Sequence, residues 1–299
     1  MVSAPIALFV YNRPAHTRRT VEALRNNKLA AESDLIIFSD AAKDADSASS
    51  VREVRDCIGS IRGFKSVRTI ARARNLGLAQ SIIDGVTEVC GEFGRVIVLE
   101  DDLVTSAHFL RFMNEALDAY EGEQRVGSVH GYWYPVGSQV PDTFFLRIAS
   151  SWGWATWSRA WQLFERDGGK LLAELRRRKL ARTFDLEGAI AYTRMLEDQI
   201  AGKNDSWAIR WDASIFLADK MSLYPGVSLV QNIGFDGSGR HSAVSDAFNT
   251  RLAAAPVRVG RLEPTECFEA RAALIRYYRS RKPGFLKRVF RRLLRMAGL

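Results

Sequence analysis

Three apolar runs and one short mixed run, each of strand length, alternate with stretches of helical spacing over the first hundred residues. Ala4 to Tyr11 is a continuous apolar run, and behind the Pro14 turn His16 to Asn26 carries Val21 and Leu24 at helical spacing. Asp34 to Asp40 reads as a second buried strand ending in a carboxylate, Val51 to Ile61 as a helix, and Ser66 to Ile70 as a short third strand. Asn75 to Val89 is a further helix, and Arg95 to Leu99 is a fourth buried strand running directly into Glu100-Asp101-Asp102. Alternating strands and helices predict parallel pairing. Ligands of such an α/β unit, nucleotides among them, collect beyond the carboxyl ends of the strands, where Asp40 and Glu100 to Asp102 fall.

The second half is less regular. A helix is predicted from about Ala107 to Tyr120, then a Gly/Pro-broken strand region from Val126 to Phe145, then a segment containing Trp152, Trp154, Trp157 and Trp161. Helical stretches follow over Lys170 to Arg182, to about Ile200 and, after Lys203 to Trp207, to about Lys220. The glycine-rich Asn232 to His241 comes next, with no repeat or linker before Leu262. The expected organisation is one domain over 1–262, with halves over 1–103 and 104–262, followed by a tail over 263–299.

Charge sharpens that division. Nine basic residues and no acidic one lie from Arg276 onward, so the 43 basic and 34 acidic residues of the whole chain leave 34 of each for residues 1–275. A neutral body argues against a broad nucleic-acid face and predicts no nucleic-acid partner. Phe285, Leu286, Val289, Phe290, Leu293 and Leu294 recur on one helical face, with Lys287, Arg288, Arg291, Arg292 and Arg295 on the other. Behind the Pro283-Gly284 breaker this predicts a basic amphipathic helix over 284–299 lying on an anionic membrane surface, the alternative being a helix docked on the body or in a dimer. Cys57, Cys90 and Cys267 are dispersed with no metal-ligand spacing, and Ala4 to Tyr11 lacks the flanks of a signal peptide. The expected location is cytoplasmic, peripheral on the inner face of the cell membrane.

Three adjacent acids at the end of a buried strand repel one another, so either cationic side chains or a metal is expected among them, or else a solvated turn. Oxygen ligands suit Mg²⁺ or Mn²⁺, bridging to a substrate diphosphate. Trp152, Trp154 and Trp157 offer faces for a sugar ring or could fill a core, and Trp154 is assigned the contact.

Tyr11-Asn12-Arg13-Pro14, Phe38-Ser39-Asp40, Arg74-Asn75-Leu76-Gly77 and Val98 to Leu103 in this order resemble a GT-A glycosyltransferase, a Rossmann-like α/β fold with a mainly parallel central sheet flanked by helices. Glu-Asp-Asp-Leu, a Gly-Trp segment and Asp-Ser-Trp together are similar to the inverting N-acetylglucosaminyltransferase of N-glycan processing and to bacterial surface-polysaccharide transferases of a family 2-like kind. The resemblance spans roughly residues 4–245 and implies a nucleotide-sugar-binding half over 1–103 and an acceptor-binding half over 104–262. It implies a nucleotide-sugar donor, a UDP-sugar, bound by Tyr11, Arg13, Asp40, Asn75, Glu100 and Asp101, with Asp102 as the metal ligand of a DxD-type motif. Arg13 and Asp40 could instead simply pair with each other. Inversion needs a carboxylate base, and Asp205 matches the family's position, with Asp212 as competitor; Asp205 could also serve only as a helix cap. His241, after the Asp236 to Gly239 loop, matches a position that sometimes supplies a second metal ligand. The implied activity is transfer of a hexose or N-acetylhexosamine to a lipid-linked or polysaccharide acceptor. A nucleotidyltransferase is the first alternative, but Tyr11 to His16 lacks a glycine-rich triphosphate loop; a non-catalytic carbohydrate-binding protein is the second.

Overall fold

The computed structural model describes residues 3–238 and 244–281. Its elements, in chain order, are β1 (Ile6–Val10), α1 (Pro14–Arg25), β2 (Asp34–Ser39), α2 (Ala45–Gly59), β3 (Ser66–Ala71), α3 (Leu78–Phe93), β4 (Arg95–Glu100), β5 (Leu103–Thr105), α4 (Phe109–Ala119), β6 (Val126–His130), β7 (Thr143–Leu146), β8 (Trp154–Trp157), α5 (Ser158–Trp161), α6 (Gly168–Arg177), α7 (Ala181–Phe184), α8 (Tyr192–Ile200), α9 (Trp207–Leu217), β9 (Met221–Pro225), β10 (Val230–Asn232) and α10 (Phe268–Arg281).

Eight strands form one sheet in the order β3-β2-β1-β4-β8-β6-β9-β7, and β5 pairs with β10 in a separate antiparallel ribbon. The expected parallel unit is present, with β1 between β2 and β4 and β2 beside β3. Within it β1, β2 and β4 are covered on both faces, so they appear in sequence as largely apolar runs. Their residues split into two cores on opposite faces of the sheet: Ile6, Leu8, Leu35 and Ile97 on one, Ala7, Phe9, Ile36 and Val98 on the other. Gly85 in α3 permits the second face to close, because a Cβ there would come within 2.7 Å of the Phe9 ring.

The second half extends the same sheet. β8 runs antiparallel between β4 and β6, with Val98 opposite Trp154. The α2 helix begins six residues before the expected Val51, because Asp44 and Ser47 form a reciprocal capping box that holds its first turn.

The folded body also extends past residue 262. The backbone N–H of Cys267 donates to Phe145 O at 2.8 Å, and α10 buries Ala270, Ala273, Leu274 and Tyr277 against the body. Arg271 pairs with Glu187 at 3.1 Å. The segment expected to open the tail is therefore part of the domain up to Arg281, whereas the amphipathic helix expected over 284–299 lies outside the described residues. Among the described residues, no helix is long and apolar enough to cross a membrane. The three cysteines are free.

Candidate active site

The carboxyl ends of β1, β2 and β4 converge as their parallel register requires, and the acids of β4 meet Arg13 there. Pro14 at the first helical position fixes where α1 starts, and the carbonyl of Arg13, just before it, accepts from Thr17 N–H. The Arg13 guanidinium then reaches Asp101 at 2.5 Å and Asp102 at 2.9 Å. It does not pair with Asp40. Burial works against the Arg13 cation, but the two carboxylates outweigh it and hold its pKa above the ordinary value.

The three acids have different environments. Asp101 is buried, accepts from the Tyr11 backbone N–H at 3.4 Å, and is raised by burial against the opposing pull of Arg13. Thr20 donates to the Asp101 carbonyl at 2.8 Å, which locks the turn to α1. Glu100 is pushed up to about 8, first by burial and then by Asp102 and Asp101, with Arg13 opposing. Asp102 faces the loop after β10: its carbonyl accepts from Ile233 N–H at 2.8 Å, and Gly234 passes so close that a Cβ there would lie 2.2 Å from Asp102 Oδ2. The same loop carries Asp236, which lies 3.0 Å from His16 Nε2. Ser238, through its hydroxyl and its backbone N–H, holds Asp236 at about 2. His241 lies outside the described residues.

One guanidinium against three carboxyls leaves the cluster short of positive charge, and burial pushes Glu100 toward its protonated form. Carboxylate oxygens are the donors that a hard divalent cation prefers. Among the described residues, no group of three or more His, Cys, Asp or Glu side chains is arranged to hold an ion. A cation at Asp102 therefore needs the rest of its coordination from a ligand's oxygens and water.

Asp40 and Asn75 come together beside this cluster. The Asp40 carboxylate accepts from Asn75 Nδ2 at 3.0 Å and from the backbone N–H groups of Ala41, Leu76 and Gly77 at 2.9 Å each. Asp40 thus ties the end of β2 to the loop before α3. Tyr11 joins the same rim, its hydroxyl accepting from Lys43 N–H at 3.1 Å. Arg55 donates to the Arg72 carbonyl at 2.8 Å and braces the loop from behind, a contact with no local sequence signal.

Trp154 is a correction to the sequence reading. Its ring is fully buried, 5.4 Å from Trp207 and 5.8 Å from Trp211, because α9 covers that face of β8. A buried Trp of this kind costs about 3–5 kcal/mol to truncate and has no face to offer a sugar. The half-buried member is Trp152, whose ring meets Phe235 at 5.5 Å, one residue after Gly234.

The two candidate bases separate clearly. Ser206, not Asp205, caps α9, its hydroxyl accepting from Ile209 N–H at 3.2 Å. The Asp205 side chain is 74% exposed and is held by Arg210 Nη2 at 3.1 Å. Asp212 is buried, accepts from Ala149 N–H at 2.7 Å, and is pushed by burial up to about 8. A raised carboxyl stabilises the fold only while protonated, so its contribution is lost as pH rises from about 4 through about 8. Asp212→Asn is expected to flatten the pH dependence of the melting midpoint in that window by up to about one proton, about 1.4 kcal/mol per pH unit. An unchanged slope would show that Asp212 is ionised in the fold.

A similarity in fold links the chain to a mannosyltransferase from Pyrobaculum calidifontis described in complex with GDP-Man and Mn²⁺, at 10% identity and a TM-score of 0.37, over 71% of this chain and 74% of that one. Mouse xyloside xylosyltransferase 1 is similar at 14% identity and a TM-score of 0.36, over 72% and 80%. A UDP-glucose pyrophosphorylase bound to UDP-glucose gives 10% identity and a TM-score of 0.36, over 74% and 90%. Scores this low do not discriminate between these activities. No curated protein matches by sequence. The model of glycosyl transferase family 2, however, matches residues 6–173, more than half of the chain, including β1, the Asp40 turn, the acidic cluster and β8. This GT-A protein belongs to glycosyl transferase family 2 and is a nucleotide-sugar glycosyltransferase.

Proposed function

We propose that the enzyme is an inverting, divalent-cation-dependent transferase that moves a hexose or N-acetylhexosamine from a UDP-sugar to a lipid-linked or polysaccharide acceptor. The observation that carries the reading is the charge-deficient cluster of Glu100, Asp101 and Asp102 around Arg13, at the strand ends where an α/β sheet receives its ligand. Asp102 would hold Mn²⁺ or Mg²⁺, and the bound cation would supply positive charge to the departing diphosphate. Arg13 and Glu100 orient the donor, Asp40 and Asn75 shape the rim that receives the nucleotide, and Asp205 takes the proton of the attacking hydroxyl. An exposed carboxylate fixed by Arg210, with its cap duty carried by Ser206, suits that last role.

The test is thermal unfolding against a panel of nucleoside diphosphates with and without Mn²⁺, since a ligand of the native state raises the midpoint by mass action. A rise with UDP that requires the cation, together with UDP-sugar consumption giving a product of inverted anomeric configuration, is expected. Absence of any shift with every diphosphate would overturn the reading.

Trp152 is the aromatic positioned to meet an acceptor sugar beside the Asp102 loop. Trp152→Ala is expected to raise the acceptor KM roughly tenfold, the scale of one aromatic contact, while leaving the donor KM in place. An equal rise in both would mean that Trp152 only supports the loop. The partners proposed for the remaining surface are the acceptor and, through residues 284–299, the anionic inner face of the cell membrane.

A further inference from the structure

The body carries an open groove of about 580 Å³, far from β4 in sequence and lined mainly by the irregular segment 251–258. Leu252 to Val257 lines it with six consecutive apolar residues, of which Ala254, Ala255 and Pro256 are exposed. Val227, 50% exposed, forms part of the opposite wall. Arg251 and Arg258 stand at the two ends of the segment, both exposed and neither with a hydrogen-bond or ion-pair partner among the described residues. Asp142 is the one acid on the groove. Ser106 and Ser228 fasten the segment through the Ala253 carbonyl and N–H, at 2.7 and 2.8 Å, so its exposed apolar edge is held in place.

The end of α10 is fastened to the chain segment that precedes the groove. Tyr277 donates its hydroxyl to the Ala247 carbonyl, and Arg281 Nη2 lies 3.5 Å from the same oxygen. Ala247 lies four residues before Arg251 in the chain, so α10 holds the segment that leads into the groove. The sequence beyond α10 carries the basic and apolar residues assigned above to the membrane.

We propose that the 251–258 segment is a second membrane contact, on the folded body, in which Arg251 and Arg258 meet the phosphates of an anionic leaflet and the Leu252 to Val257 edge enters the headgroup boundary. The chemistry is that of an interfacial element: an apolar edge between cationic ends, with long side chains able to keep their charge at the phosphate level. Two-point attachment by this segment and the tail would fix the orientation of the body on the bilayer, which the tail alone cannot do. This goes beyond the reading of the active site and does not depend on it.

The experiment is flotation of the full-length protein with phosphatidylcholine vesicles, with and without phosphatidylglycerol. Wild type is expected to float only with the anionic vesicles. Arg251→Gln with Arg258→Gln is expected to lower the partition coefficient roughly tenfold or more, each lost cation weakening attraction to the leaflet. Ala255→Glu should lower it without changing the number of basic residues. The same losses should appear in a full-length background carrying Arg288→Gln, Arg291→Gln and Arg292→Gln. All these positions are on the surface or beyond α10, and the UDP-dependent thermal shift measured without vesicles reports whether fold and donor site are intact. Flotation unaffected by the groove variants but abolished by the tail variants would overturn the proposal, as would failure of wild type to float.

Discussion

Asp205→Asn is expected to lower kcat for sugar transfer by roughly 10²–10⁴-fold, the contribution typical of a positioned general base, with the melting midpoint unchanged. Asn keeps the oxygen that accepts from Arg210 at 3.1 Å and removes only the capacity to take a proton. Because Ser206 supplies the α9 cap, the fold asks of the Asp205 side chain only its contact to Arg210, which asparagine can keep. The comparison is Ser206→Ala, which should cost about 1 kcal/mol of stability through loss of the cap and leave kcat nearly intact. The UDP and Mn²⁺ thermal shift should be retained in both variants, since neither residue belongs to the acidic cluster. Activity of Asp205→Asn close to wild type would remove Asp205 from the chemistry. Asp212 would be a poor substitute, because its carboxyl is buried and already accepts from Ala149 N–H at 2.7 Å.

The donor half of the fold is legible in the sequence because its strands are parallel and buried on both faces. β1, β2 and β4 appear as apolar runs that no surface element would tolerate. The second half is not, since β8 and β10 are three to four residues long and owe their existence to partners far away, as in the pairing of Val98 with Trp154. Trp154 illustrates the consequence. Aromatic clustering was visible, but which ring is covered depends on α9, more than fifty residues later. α10 carries a legible helical stripe, Ala270, Ala273, Leu274 and Tyr277, yet the basic residues of its last turns assign it to the tail. At the site, the need of Glu100 to Asp102 for a cation follows from adjacency alone, whereas the identity of the side chain that answers it, Arg13 rather than a partner of Asp40, follows from the register of β1 against β4.

Gly234→Ala is expected to abolish the metal-dependent nucleotide shift while leaving a folded protein, although Gly234 carries no side chain and no sequence signal of function. Its N–H donates to Asn232 Oδ1 at 2.7 Å, which fixes the turn leaving β10. A Cβ at this position would lie 2.2 Å from Asp102 Oδ2, 3.0 Å from its Cγ and 3.1 Å from Arg13 Nη1. The backbone is not left-handed here, so alanine is conformationally acceptable and the conflict is purely steric. Something must move, and the far end of the Asp102 side chain moves most cheaply. The fold therefore loses about 1–3 kcal/mol, as in ordinary overpacking, but Asp102 swings away from Arg13 and from the position where a cation would join it. Misplacement of about 1 Å at a reacting centre costs on the order of 10²-fold in rate, so kcat/KM should fall by that factor and the thermal response to UDP with Mn²⁺ should match that of Asp102→Ala. Asp236→Ala provides the contrast, because it removes the contact to His16 further along the same loop without touching the acids. A full UDP and Mn²⁺ shift in Gly234→Ala would mean that the Asp102 carboxylate has no part in donor binding, and the cation would have to be sought at Glu100.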